Sequence, residues 1–184
     1  MAKLVSKTYG DALFELASEV NKMDSLFEEA KSLQNILNDN PEFEKMMNHP
    51  QISREEKEKI MEEVFKGRAS EEMTGFLKLL IVNGRFEEVS GIVEYFIAKV
   101  KEYKKIGVAY VATPLPLSDN QKADIEKKLL ETTDYESMEM NYDVDASLIG
   151  GMTIRIKDRV VDSSVKSKLN NLTKELLSIK LANA

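Results

Sequence analysis

Apolar residues recur at three- and four-residue intervals through the N-terminal part of the chain, and beyond it the period shortens to two. The first pattern is that of amphipathic helices, the second that of half-buried strands. Val5, Tyr9, Ala12, Leu13, Leu16, Ala17 and Val20 form one stripe over residues 3–21, while Leu4 and Phe14 fall on the other side. A helix apolar on two faces is either central in a bundle or buried on one side and offered to a partner on the other. Periodicity leaves both open.

Five further helices follow, each with its own punctuation. Asp24 is the expected cap of the second, with Leu26, Ala30, Leu33 and Leu37 inward and Asn38-Asp39-Asn40-Pro41 at its end. Asn40 is expected to cap a short third helix with Pro41 at its first position, where proline is tolerated. That helix carries Phe43, Met46 and Met47 and stops before Pro50. Ser53-x-x-Glu56 is a capping box; it opens a fourth helix with Ile60, Met61, Val64 and Phe65 inward, closed by Gly67. Ser70 caps the fifth, which ends in Leu79-Leu80-Ile81-Val82, apolar on every side, before the left-handed stop of Asn83-Gly84. Four consecutive apolar residues cannot all face one neighbour, so this helix is either the most enclosed or carries a binding surface. The sixth has Phe86, Val89, Val93, Phe96, Ile97 and Val100 on one stripe.

The period changes near residue 105. Ile106, Val108, Tyr110 and Ala112 alternate as a strand ending at Thr113-Pro114-Leu115-Pro116. Ser118-x-x-Gln121 caps a helix through Ile125, Leu129 and Leu130, and Met138, Met140, Tyr142 and Val144 alternate as a second strand. Gly150-Gly151 precedes a third, in which Met152, Ile154 and Ile156 alternate with Thr153, Arg155 and Lys157. Lys157-Asp158 reverses the chain into Val160-Val161, and Asp162 or Ser163 is expected to cap a last helix carrying Val165, Leu169, Leu172, Leu176 and Ile179. The double glycine matches no phosphate-loop spacing and reads as a structural turn, a bulge or tight corner where two backbones approach. The expected fold is α + α/β: a helical bundle over residues 1–104, then a small α/β domain over 106–184.

Composition narrows the chemistry. A net charge of -6 and a pI near 5.1, with Lys and Arg scattered, argue against nucleic acid, which needs a concentrated basic face. Cysteine is absent, which excludes disulfides, thiolate metal sites and a Cys nucleophile. His49, the single histidine, stands beside Pro50 in a helix break and reads as a solvated loop residue. No Ser-His-Asp set, metal cluster or nucleotide loop is present, so catalytic, cofactor and metal sites are all expected to be none. With no secretory signal and no apolar run near the roughly 20 residues needed to span a bilayer, the protein is expected to be soluble and intracellular. Any membrane association would run through partners.

Three stretches together resemble one family. They are Lys7-Thr8-Tyr9-Gly10-Asp11-Ala12-Leu13-Phe14-Glu15-Leu16-Ala17, then Leu79-Leu80-Ile81-Val82-Asn83-Gly84-Arg85, then Gly150-Gly151 followed by Val160-Val161-Asp162-Ser163-Ser164-Val165 and Leu169. In order and spacing they are similar to the delta subunit of F-type ATP synthases, known in mitochondria as the oligomycin-sensitivity-conferring protein. The family pattern often has arginine-proline before the tyrosine; Lys7-Thr8 stands there here. The resemblance implies a six-helix N-terminal bundle, a small C-terminal α/β domain and no catalysis. It implies a stator role: one copy per synthase joins the catalytic F1 head to the peripheral stalk of Fo and resists rotor torque. The first and fifth helices would take the N-terminal helix of an alpha subunit, with Tyr9, Ala12, Leu16, Phe76, Leu79, Leu80 and Asn83 as the contact residues. The C-terminal domain would meet the C-terminus of the b-subunit stalk. The location implied is peripheral to the cell membrane, on its cytoplasmic side. The residues alone also admit a two-domain scaffold of another assembly, or a small acidic enzyme with a pocket of scattered carboxylates.

Overall fold

The computed structural model describes residues 2–172, and the chain divides into two compact units, residues 1–101 and 102 onward. The first unit is helical. It holds α1 (Ala2–Glu19), α2 (Met23–Asp39), α3 (Pro41–Met47), α4 (Arg54–Phe65), α5 (Glu71–Val82), a 3-10 turn at Phe86–Glu88, and α6 (Val89–Tyr103).

Side-chain caps mark the starts of α4 and α5. Ser53 and Glu56 close a reciprocal capping box on α4, and the Ser70 hydroxyl accepts from the Met73 amide on α5. Glu29 of α2 then accepts from both the Ser70 amide (3.0 Å) and its hydroxyl (2.8 Å), tying the start of α5 to α2. At the far end of α5 the Arg85 amide donates to Leu80 and the Gly84 amide to Ile81, with Gly84 at φ +62°, the paired bonds of a Schellman stop.

Two expected caps differ. Asp24 lies inside the first turn of α2, where its charge favours the helix dipole, and the N-cap position is held by Lys22. The Asn40 side chain donates back to the Ile36 carbonyl, so it serves the end of α2 rather than the start of α3. Phe86 also leaves the sixth helix for the 3-10 turn, yet it stays buried.

The core of this unit draws on every helix: Leu13 and Ala17 from α1, Leu26 and Ala30 from α2, Met47, Met61, Leu77, Leu80 and, from α6, Ile92, Phe96 and Val100. The Tyr95 ring of α6 lies over Gly10 of α1, where a Cβ would sit 2.4 Å from it. The Tyr95 hydroxyl donates to Asp11 at 3.0 Å, and Lys99 pairs with the same carboxylate, fixing the register of the two helices.

The second unit holds β1 (Ile106–Thr113), α7 (Asp119–Thr132), β2 (Ser137–Val144), a 3-10 turn at Ala146–Leu148, β3 (Thr153–Ile156) and β4 (Arg159–Asp162). A further helix, α8, runs from 165 to the end of the described residues at 172. The sheet order is β2-β1-β3-β4, parallel between β1 and β2 and antiparallel elsewhere. A βαβ crossover through α7 makes the parallel pair, as parallel neighbours require. Register aligns Val111 with Tyr142 and with Ile154 on one face, and the Tyr142 hydroxyl reaches the Lys122 carbonyl of α7. The α7 face of β1 therefore carries Gly107, Ala109 and Val111, all buried, whereas Tyr110 on the other face is exposed.

Gly150 and Gly151 are where two passes of chain meet. The Val165 amide donates to the Gly150 carbonyl and the Ser163 amide to the Met152 carbonyl. Gly151 has φ +78°, and a Cβ there would lie 2.4 Å from the Ser163 carbonyl oxygen. The α8 cap is Ser164, one residue beyond the expected pair: its hydroxyl accepts from the Ser167 amide. Asp162 supports it, accepting from the Ser164 amide and the Ser167 hydroxyl. Val165, Leu169 and Leu172 are exposed, and Leu176 and Ile179 lie outside the described residues.

Candidate functional site

The only sequence-predicted site residues with a functional expectation lie on α1 and α5, and two contacts set how these helices run. The Asn83 amide side chain donates to the Tyr9 hydroxyl at 3.1 Å. Lys22, just beyond α1, pairs with Glu72 in the first turn of α5 at 2.7 Å. The start of α1 thus meets the end of α5, so the two are antiparallel.

Spacing decides which α5 side chains look outward. Met73, Phe76, Leu77, Leu80 and Ile81 form the buried face. Phe76 is 6 % exposed and Leu80 0 %, so both are core side chains and not surface for a partner, contrary to the sequence expectation. The reason is geometric. One side of the apolar run Leu79–Val82 must face inward, and the inward pair there is Leu80 and Ile81. Leu79 and Val82 point out, at 48 % and 47 % exposed. On α1, Ala12 is exposed, Tyr9 and Leu16 are half-buried, and Leu13 and Ala17 beneath them are core. Asn83 is exposed beside Tyr9.

Two residues join this surface that the sequence reading did not select. Val82 was visible only as part of the apolar run. Gly75 lies one turn before Leu79, is exposed, and a Cβ there would meet nothing within 4 Å. A glycine in a helix interior costs about 1 kcal/mol relative to alanine, and nothing inside this unit requires it. The result is a surface that carries small residues at Ala12 and Gly75, apolar side chains at Leu16, Leu79 and Val82, and the Tyr9–Asn83 hydrogen bond between the two helices. Such a surface can hold an apolar helix face; it has no group placed for bond chemistry.

Among the described residues no cluster of acidic or histidine side chains could hold a metal ion, and no helix is long and apolar enough to cross a membrane. The second unit has a concavity of about 820 Å³ between the end of α7 and the β3–β4 hairpin. Its floor is Leu129, Ile154, Ile156 and Val161, and its rim carries Glu102 and Lys157, which pair at 3.3 Å.

The electrostatics are those of a surface-stapled scaffold. Asp11 is held below its ordinary value mainly by the Lys99 ammonium, Glu62 by Lys78, and Glu72 by Lys22. Glu56 is lowered by the Ser53 amide of its capping box, and Asp162 by the Ser167 and Ser164 groups at the α8 cap. A carboxylate whose folded value is depressed contributes stability that is present above its unfolded value and lost as pH falls through the folded one. The unfolded values are about 3.9 for Asp and 4.3 for Glu. The melting temperature should therefore be nearly level from pH 7 to about 5 and fall steadily below about pH 4. A melting temperature that rose on acidification would contradict these pairings.

Residues 5–176 match the family model of the ATP synthase delta (OSCP) subunit. The ATP synthase subunit delta of Lachnoclostridium phytofermentans is 55 % identical over 181 residues, covering 98 % of this chain and 100 % of that one. That of Acetivibrio thermocellus is 33 % identical over 175 residues, covering 95 % and 98 %. A chain of the Toxoplasma gondii mitochondrial ATP synthase hexamer, seen by cryo-EM, superimposes with a TM-score of 0.73 at 20 % identity, over 94 % of this chain and 97 % of that one. At that identity the likeness speaks to the fold alone. On the match across both units and the identity over nearly its full length, the chain belongs to the ATP synthase delta (OSCP) subunit family.

Proposed function

We propose that this chain is the stator adaptor of an F-type ATP synthase, a non-catalytic subunit present in one copy. It links the F1 head to the peripheral stalk so that the head does not turn with the rotor. In this reading the six helices of residues 1–104 act as one bundle seated on the head, and residues 106–184 face the C-terminus of the b-subunit stalk. The protein is peripheral to the cell membrane on its cytoplasmic side, held there by its partners. The role asks for binding strength and no turnover, and a surface without reactive groups suits it.

The observation that carries the reading is the exposed apolar pair of Leu79 and Val82 on α5, the helix that Tyr9–Asn83 ties to α1 with its exposed Ala12 and half-buried Leu16. Helix-in-groove recognition uses such a strip, with anchors at helical spacing. The proposed occupant is the N-terminal helix of an alpha subunit. Ala12→Leu tests it. Leucine keeps helix propensity high and, at an exposed position, leaves the core beneath intact. It should weaken binding of the alpha N-terminal peptide by more than tenfold, about 1.4 kcal/mol, with an unchanged melting temperature. Unchanged affinity in calorimetry would place the partner elsewhere.

A further inference from the structure

We infer that Asn83–Gly84, the stop of α5, is a latent self-modification site, a deamidation step that the folded chain holds back through the Schellman turn and the Tyr9 hydroxyl. Asn-Gly occurs once in the sequence. Glycine is the neighbour that favours the reaction, because no side chain shields its backbone nitrogen. Both residues are exposed, and a Cβ at Gly84 would meet nothing within 4 Å, so water reaches them freely.

The step needs no cofactor and no reagent but water. The Gly84 backbone nitrogen gives up its proton and bonds to Asn83 Cγ. The Cγ–Nδ2 bond breaks, and ammonia leaves with that proton. The product is a five-membered succinimide ring. Water then adds to one of the two ring carbonyls. Breaking the Cγ–N bond leaves aspartate at position 83. Breaking the bond from nitrogen to the main-chain carbonyl carbon leaves isoaspartate, whose main chain runs through Cγ and is one methylene longer.

The fold keeps the reacting atoms apart. Asn83 has φ -82° and ψ 0°, which turns the Gly84 nitrogen away from the Asn83 side chain. The Gly84 amide donates to the Ile81 carbonyl at 3.0 Å, so its proton is engaged, and the Arg85 amide closes the turn on Leu80 at 2.8 Å. Asn83 Nδ2 donates to the Tyr9 hydroxyl at 3.1 Å, which draws the carboxamide toward α1. Ring closure therefore waits for the end of α5 to open, and its rate follows the open population. Either product places a carboxylate at the C-terminal end of α5, where the helix dipole disfavours an anion. The isoaspartate also lengthens the main chain inside the Schellman turn, whose paired bonds need the ordinary spacing. Conversion thus loosens the end of α5 from α1.

The test incubates the full chain at mildly alkaline pH, folded and in urea, and follows Asn83 by peptide mass spectrometry, with isoaspartate counted by enzymatic methylation. Asn83 should convert in both, more than tenfold more slowly in the folded chain. Tyr9→Phe, which keeps the ring and removes the hydroxyl, should speed conversion of the folded chain about fivefold, the effect of one ordinary hydrogen bond. It should leave the rate in urea unchanged. Hydrogen exchange on the same variant should show protection lost at the end of α5 and kept in α2 and α6. An Asn83 that stays intact in urea overturns the site. Equal rates folded and in urea overturn the restraint. A folded rate that ignores Tyr9→Phe, or that rises only with loss of protection across the whole unit, overturns the role of the hydroxyl. Converted chains, separated by their added negative charge, should melt below unconverted ones; equal melting contradicts the loosening of α5.

Discussion

Replacing Gly151 with valine should collapse the four-stranded sheet while leaving α1–α6 protected. At φ +78° a β-branched residue is strained by its own backbone, by about 1–3 kcal/mol. The added Cβ would also lie 2.4 Å from the Ser163 carbonyl oxygen and 3.1 Å from the Ser164 Cα, which are backbone atoms and cannot rotate away. Forcing them apart costs about 1–3 kcal/mol more by analogy with overpacked cores. It also opens the bonds from Ser163 to Met152 and from Val165 to Gly150, which hold the end of β4 and the start of α8 to the β3 side. The described part of this unit is small, and domains of that size have thin cores. Amide hydrogen exchange on the whole chain reads the result directly: protection lost in β1–β4 and kept in the helical unit. Equal protection before and after would show that Gly151 is dispensable.

The mirror experiment is Phe96→Ala. Phe96 is fully buried, the largest of the completely enclosed side chains in the helical unit. Truncating it removes the ring's transfer free energy and leaves a cavity that fixed helices only partly fill, about 3–5 kcal/mol. Native domains are stable by about 5–15 kcal/mol in all, so the first unit should lose much of its protection and the sheet should keep its own. Loss from both units together would mean that they fold as one cooperative block.

What the sequence disclosed and what it hid divide along local and non-local physics. The Ser53–Glu56 and Ser118–Gln121 boxes, the Ser70 cap and the Gly84 stop are contacts within four or five residues, and each was legible as a pattern. The chain-family resemblance was legible for the same reason: its motifs are short. The inward side of α5 was not, because an all-apolar end has no polar face to mark outside. Only packing against the rest of the unit separates Leu80 from Leu79. Gly10 against Tyr95 and Gly151 against Ser163 are close approaches between distant or reversing segments, which no spacing rule announces. The shift of the α8 cap to Ser164 was hidden among three adjacent residues, Asp162, Ser163 and Ser164, that could all accept an amide bond. Gly75 carries no periodic signal of its own, and only the structure shows that the space above it is empty.

The central claim is that one chain bridges two partners, and native mass spectrometry of a three-component mixture tests it most directly. The chain, the F1 head and the soluble part of the b-subunit stalk, mixed together, should give a complex containing a single copy of this chain with both partners. Leaving the chain out should leave head and stalk apart, and Leu79→Asp should release the head while the stalk stays bound. A mixture yielding only head–chain and chain–stalk pairs, or a head and stalk that associate equally well without the chain, would contradict the account.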